Sequence, residues 1–127
     1  MKASELRIGN LIGFNYGNRK TYSTITEITS IDVKLNDGFA ELSQLEPIPL
    51  TEKWLLRFGY IKFEVNATIF CEYSLVDDGV LKYKLLFDKR NNNIVMPNEY
   101  KPIKIKHVHQ LQNLYFALTG EELILKA

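Results

Sequence analysis

What this 127-residue chain lacks narrows its class before any motif is considered. A single cysteine, Cys71, excludes an internal disulfide and fits a reducing compartment. No apolar run approaches the roughly 20 residues that span a bilayer as a helix. The opening Met1-Lys2-Ala3-Ser4-Glu5-Leu6-Arg7 has no apolar stretch of the kind a secretory leader carries, so a cytoplasmic protein is expected. The sequon Asn66-Ala67-Thr68 is accordingly expected to be part of a turn and nothing more.

Charge of one sign is also missing. Sixteen basic side chains face fifteen acidic ones, for a formal net charge of +1. Residues 1–50 hold five basic and six acidic side chains, and residues 51–127 hold eleven and nine. Neither half has the footprint of a strong, sequence-independent nucleic-acid binder. Only two histidines occur, His107 and His109, and no third or fourth ligand stands near them at a zinc-like spacing. Gly9, Gly13 and Gly17 recur every four residues, but their flanks are β-like and no Gly-Lys-Ser/Thr opens a helix after them. Asp77-Asp78 and Glu121-Glu122 are adjacent carboxylates whose side chains diverge, a poor geometry for acid/base work. Cys71 lies on an alternating apolar strand and reads as a small core hydrophobe. No metal and no cofactor is implied.

Hydrophobic residues are plentiful, at 46%, with 12% aromatics, enough to build a core without staples. Residues 6–46 read as short strands. A glycine-punctuated opening leads to a turn at Tyr16-Gly17-Asn18-Arg19, then a Thr/Ile-rich stretch from Lys20 to Ile28. Ile31, Val33 and Leu35 alternate with polar residues before an Asn36-Asp37-Gly38 turn, and Phe39 to Leu45 returns. Four or five strands in this space suggest a small SH3-like barrel.

Pro47-Ile48-Pro49 must be extended. Thr51 then predicts the N-cap of a helix over 52–58, stopped by Gly59, with Trp54, Leu55 and Phe58 as its buried stripe. From Tyr60 to Met96 the period-2 pattern predicts an antiparallel meander with one face buried. Ile61, Phe63 and Val65 alternate with Lys62 and Glu64, and turns fall at Asp77-Asp78-Gly79 and Asn91-Asn92-Asn93. Ile103 and Ile105 give one more short strand. The spacing predicts a last helix over 108–119, with Leu111, Leu114, Tyr115 and Leu118 facing the core and Gln110, Gln112, Asn113 and Thr119 largely off that stripe. Gly120 ends it, and Glu121 to Leu125 is expected to add an edge strand.

The expected fold is therefore α+β: an N-terminal SH3-like β-barrel, a short helix, then an antiparallel sheet packed by a C-terminal helix. Residues 1–127 form one compact unit in this reading, with subregions 6–46 (barrel) and 51–127 (helix, sheet and C-terminal helix). Two clusters of tyrosine with basic residues are the candidate binding surface. One is Tyr16, Arg19, Lys20 and Tyr22; the other is Tyr100, Lys101, Lys104 and Lys106, to which His107 and His109 are added.

Three phrases carry a resemblance: Glu5-Leu6-Arg7-Ile8-Gly9-Asn10; Pro47-Ile48-Pro49-Leu50-Thr51-Glu52 with Trp54-Leu55-Leu56 and Phe58-Gly59; and His109-Gln110-Leu111-Gln112-Asn113-Leu114-Tyr115-Phe116-Ala117-Leu118-Thr119-Gly120. In this order they resemble a family of small proteins, of no assigned chemistry, from phages, prophages and mobile elements of Bacteroides-type gut bacteria. The resemblance implies an accessory protein inside a bacterial host cell and transfers no catalytic residue. The expected function is non-enzymatic binding of a host or phage protein. A nucleic-acid-binding accessory protein and a small nucleotide-binding or enzymatic anti-defence protein are the alternatives.

Overall fold

Strand propensity and turn chemistry act together from the first residues. In a computed structural model, a 3₁₀ turn at Ala3–Glu5 leads into β1 (Leu11–Tyr16), β2 (Arg19–Ile28), β3 (Asp32–Leu35) and β4 (Gly38–Glu41). A second 3₁₀ turn, Leu42–Gln44, precedes β5 (Leu45–Glu46). Helix α1 spans Glu52–Arg57; β6 (Ile61–Asn66), β7 (Phe70–Asp77), β8 (Val80–Asp88), β9 (Asn93–Met96) and β10 (Ile103–Lys104) follow, and α2 spans Val108–Thr119. The structure describes residues 1–16, 19–36, 38–66, 69–97 and 100–126, with the side chains of Tyr16, Val65 and Asn66 left aside. The turns read at Tyr16-Gly17-Asn18-Arg19, Asn36-Asp37-Gly38 and Asn66-Ala67-Thr68 fall partly outside these residues.

The fold is α+β, with two five-stranded antiparallel sheets ordered β4-β3-β2-β1-β5 and β10-β9-β8-β7-β6. The chain divides into two compact units. One contains Met1–Pro49 and His107–Leu123, the other Leu50–Lys106 and Ile124–Ala127. The barrel reading meets a first departure here: no pairing between β4 and β5 closes the first sheet among the described residues.

The core of the first unit is aliphatic. Ile12, Ile25, Val33, Leu35, Ala40 and Leu45 are buried together, with Leu6 and the partly buried Phe14 and Ile28 against them. Alternation explains which residues enter. Val33 and Leu35 are buried as expected, whereas Ile31, just outside β3, is 75% exposed. In β2 the register shifts between Ile25 and Glu27, so Arg19–Thr24 pairs with β1 and the rest with β3.

Helix α2 has the bounds its periodicity predicts, and Gly120 takes a left-handed φ of 73° after it. Its placement corrects two expectations. It groups with the first unit and not with the sheet of residues 51–127. Its buried residues are Val108, His109, Leu111 and Gln112, while Leu118 is 57% exposed. The buried stripe is thus rotated toward the N-terminal turns and takes in a glutamine, for a reason given below. No strand forms at Glu121–Leu125 among the described residues; instead Lys126 N–H donates to Arg57 O at 2.7 Å within the second unit.

In the second unit α1 ends at Phe58, and Gly59 follows with φ 93°. Thr51 is the N-cap but makes no side-chain capping bond, contrary to the usual role of threonine there. Trp54, Leu55 and Phe58 are buried as predicted, joined by Tyr60, Cys71, Tyr73, Leu85, Ile94 and Ile105. Register places Lys62 opposite Tyr73, Glu64 opposite Cys71, Tyr73 opposite Leu85 and Cys71 opposite Phe87. Cross-strand partners share a face. Lys62 and Glu64 therefore stand on the buried face, and Ile61 and Phe63 on the other, at 43% and 38% exposure. The expected inward set of β6 is turned outward.

Candidate functional site

The ten residues read as a binding surface fall in three places. In the β1–β2 hairpin, Tyr16 is the register partner of Arg19 and Asn15 that of Lys20. Arg19 and Lys20 are consecutive on a strand and so project from opposite faces. Lys20 Nζ lies 3.8 Å from Glu46, and Tyr22, opposite Gly13, is 58% exposed. The Tyr16 side chain is outside the described residues. The cluster is thus split across a sheet, with one of its cations held by a carboxylate.

The second cluster borders β10 in the second unit. Tyr100 is 92% exposed, and Lys101, Lys104 and Lys106 are exposed too. Lys104 and Lys106 flank the buried Ile105.

His107 and His109 belong to the first unit, at the start of α2. His107 is the N-cap, and its N–H donates to Gln110 Oε1 at 3.1 Å, the reciprocal half of a capping box. Val108 N–H donates to Ile48 O at 2.9 Å, so the Pro47-Ile48-Pro49 stretch anchors the first turn of the helix. The two imidazoles stack with centroids 5.7 Å apart and planes 10° from parallel. Residues two apart diverge on a helix, but His107 is still extended, with φ −132° and ψ 152°, and this brings the rings together.

Met1, Glu5, Leu45, Pro47 and Gln110 complete a cleft of about 210 Å³ around them. His109 is buried, and its Nδ1 has no hydrogen-bond partner among the described residues. Burial pushes its pKa below the ordinary histidine value, the neighbouring His107 adds to this, and Glu5 opposes it. A neutral imidazole at pH 7 follows.

Chemically the cleft offers little beyond that imidazole. No group of three or more His, Cys, Asp or Glu side chains that could hold a metal occurs among the described residues. Cys71, in the second unit, is fully buried with its thiol 3.6 Å from Glu64 Oε2 and lacks the exposure a nucleophile needs. The paired carboxylates have structural work. Asp78 forms a turn at φ 52°, Asp77 meets Lys82 at 3.4 Å, and Glu122 binds Arg7.

Gln112, read as largely off the core stripe, is buried, and so is Asn10, which the sequence did not single out. Asn10 is fully buried: its Oδ1 accepts from Arg7 N–H at 2.7 Å and its Nδ2 donates to Asn113 Oδ1 at 2.8 Å. Gln112 Oε1 accepts from Leu11 N–H at 2.8 Å, and its Nε2 reaches Gly9 O at 3.4 Å. Asn113 Nδ2 donates to Glu5 O at 3.1 Å. Both terminal nitrogens of the Arg7 guanidinium contact Glu122, and the group lies 4.1 Å over the Phe116 ring. The backbone of residues 5–11 has no strand partner on this side, so α2 supplies amides to satisfy it. One signal was available. Gln112 follows Val108 by four residues, a spacing that puts both on one face of the helix.

Comparison with known proteins adds no assignment: no family model, curated protein or solved structure matches the chain. No helix among the described residues is long and apolar enough to cross a membrane.

Proposed function

We propose that the chain is a non-enzymatic binding protein that docks on a host or phage protein in the bacterial cytoplasm. The observation that carries this reading is the end of the β7–β8 hairpin. Val76, Val80 and Leu81 are 52%, 55% and 50% exposed there, with Val76 opposite Leu81 and Val80 opposite Asp77. Asp78 and Gly79 turn the strands at φ 52° and 76°. A lone exposed aliphatic is ordinary, but the cross-strand pair Val76 and Leu81 shares one face of the hairpin end, where two exposed aliphatics side by side gain from cover, while Val80 stands on the opposite face with Asp77. About half of each side chain is still exposed, so covering it contributes on the order of 1 kcal/mol per residue. For the first unit, the SH3-like reading draws support from the split pairing of β2 and its register shift, a device that bends a strand between two ladders.

The test is a photo-crosslinking residue at Leu81 in host cells, followed by titration of the recovered protein with purified chain. The expected result is a binary complex that Leu81→Ser weakens at least about tenfold. Unchanged affinity in Leu81→Ser, or substrate turnover lost in His109→Gln, defeats the reading.

A nucleic-acid reading rests on Tyr100, 92% exposed, with exposed Lys101, Lys104 and Lys106 following it within six residues of chain. Fluorescence anisotropy with single- and double-stranded DNA decides it, since no binding at low salt removes the idea. A nucleotide-binding or enzymatic anti-defence role would use the His107–His109 cleft, and a nucleotide that raises the melting temperature would favour it.

A further inference from the structure

We propose that β6 is the seam of a homodimer, pairing antiparallel with β6 of a second copy about Phe63, so that Lys62 of each chain faces Glu64 of the other. β6 is an edge of its sheet and pairs only with β7 among the described residues. An edge strand leaves a row of backbone donors and acceptors open, which is a template for another strand. The edges β5 and β10 have two residues each and β4 has four, against six in β6.

The sequence of the edge selects the occupant. A lysine on an edge ordinarily repels a second copy of the same strand. Here Glu64 stands two residues from Lys62 on the same face. Antiparallel self-pairing about Phe63 sets residue 62 against 64 and 64 against 62, so both like-charge encounters become opposite-charge ones. The pairs form on the face that carries Cys71 and Tyr73, while the outward Phe63 meets Phe63 of the second copy on the other. Lys62 and Glu64 already contact each other at 3.5 Å, and Lys62 lies 3.6 Å from Glu52. Glu64 also accepts from Lys89 at 3.2 Å, and with side-chain exposures of 37% and 50% the Lys62–Glu64 contact itself is cheap to re-partner. About five residues of ladder would form, roughly 17 Å of strand. This seam is separate from the hairpin end of the preceding reading and stands if that reading fails.

The experiment uses the full chain with Lys62→Glu and Glu64→Lys made separately, and sedimentation velocity from low to high micromolar concentration. Wild type is expected to reach twice 14.7 kDa. Each variant alone places like charges opposite twice and is expected to stay monomeric, with the dissociation constant raised at least about tenfold. An equimolar mixture restores both opposite-charge pairs and is expected to form heterodimers. Phe63→Cys, which sits on the two-fold axis, is expected to give a disulfide-linked dimer under mild oxidation; this readout decides the matter should a charge variant fail to fold. A monomeric wild type, dimers indifferent to both reversals, a mixture that stays monomeric, or no Phe63→Cys crosslink overturns the proposal.

Discussion

The two units solve the same problem with different side chains. The first fills its core with branched aliphatics, Ile12, Ile25, Val33, Leu35 and Leu45, and ties its helix on with buried amides. The second relies on aromatics: Trp54, Phe58, Tyr60 and Tyr73 are all buried. Helix length accounts for much of the contrast. α2 has twelve residues and can combine Val108 and Leu111 with hydrogen-bonding groups. α1 has six, is too short to hold its shape alone, and contributes few contacts per turn. Each inward position must therefore bury a large surface. Its N-terminal Glu52 accepts a hydrogen bond from the Tyr73 hydroxyl, and Arg57 lies 4.5 Å over the Trp54 ring. Burial and the Glu52 carboxylate together push the Tyr73 phenol far above its ordinary pKa, so it remains a donor.

If bulk is what holds the second unit, Phe58→Ala should have the largest effect. The residue is fully buried, and its truncation is expected to cost about 3–5 kcal/mol in urea unfolding. A loss below about 1 kcal/mol would show that α1 is held by something else. The first unit should respond instead to hydrogen-bond loss. Gln112→Ala leaves Leu11 N–H without its acceptor and is expected to cost about 1–3 kcal/mol. Gln112→Leu restores the volume but not the acceptor, so it should not rescue stability; full rescue would make the first unit's helix contact one of packing as well.

The smallest expected effect concerns pH. Because burial lowers the His109 pKa, the unfolded chain binds its proton more readily than the folded one. Stability from the neutral buried imidazole is complete above about pH 6.5, the unfolded value, and is lost as pH falls below it. The loss cannot exceed about 1.4 kcal/mol per pH unit for one proton. Urea midpoints at pH 7.5 and 5.5 should therefore differ more in wild type than in His109→Gln. An equal difference in both would place the acid sensitivity in other groups.

Much of the local structure is legible in the residues. Thr51 to Gly59 marks a two-turn helix, and Trp54, Leu55 and Phe58 are its buried side. Asp77-Asp78-Gly79 turns a hairpin, and Gly120 ends α2. The phrases that suggested kinship have a structural reading of their own. Leu6 to Asn10 and Gln110 to Gly120 meet through Arg7, Asn10, Gln112 and Asn113, so their wording describes a clasp between an N-terminal strap and a helix. The candidate surface was less legible. Arg19, Lys20 and Tyr22 are neighbours in sequence, and strand alternation puts Arg19 on the face opposite Lys20 and Tyr22.

By itself the sequence determined both α-helices with their stops and most of the strands, because these follow from backbone preferences and side-chain periodicity over a few residues; the strand read at Glu121–Leu125 does not form among the described residues. Only the tertiary structure decided which faces are covered. It put α2 with the first unit, buried Asn10 and Gln112, exposed Leu118, and turned Ile61 and Phe63 outward on β6. The reason is physical. A period identifies a face, but its cover comes from partners such as Leu11 and Gln112, 101 residues apart, whose pairing is set by which buried donors and acceptors remain to be satisfied.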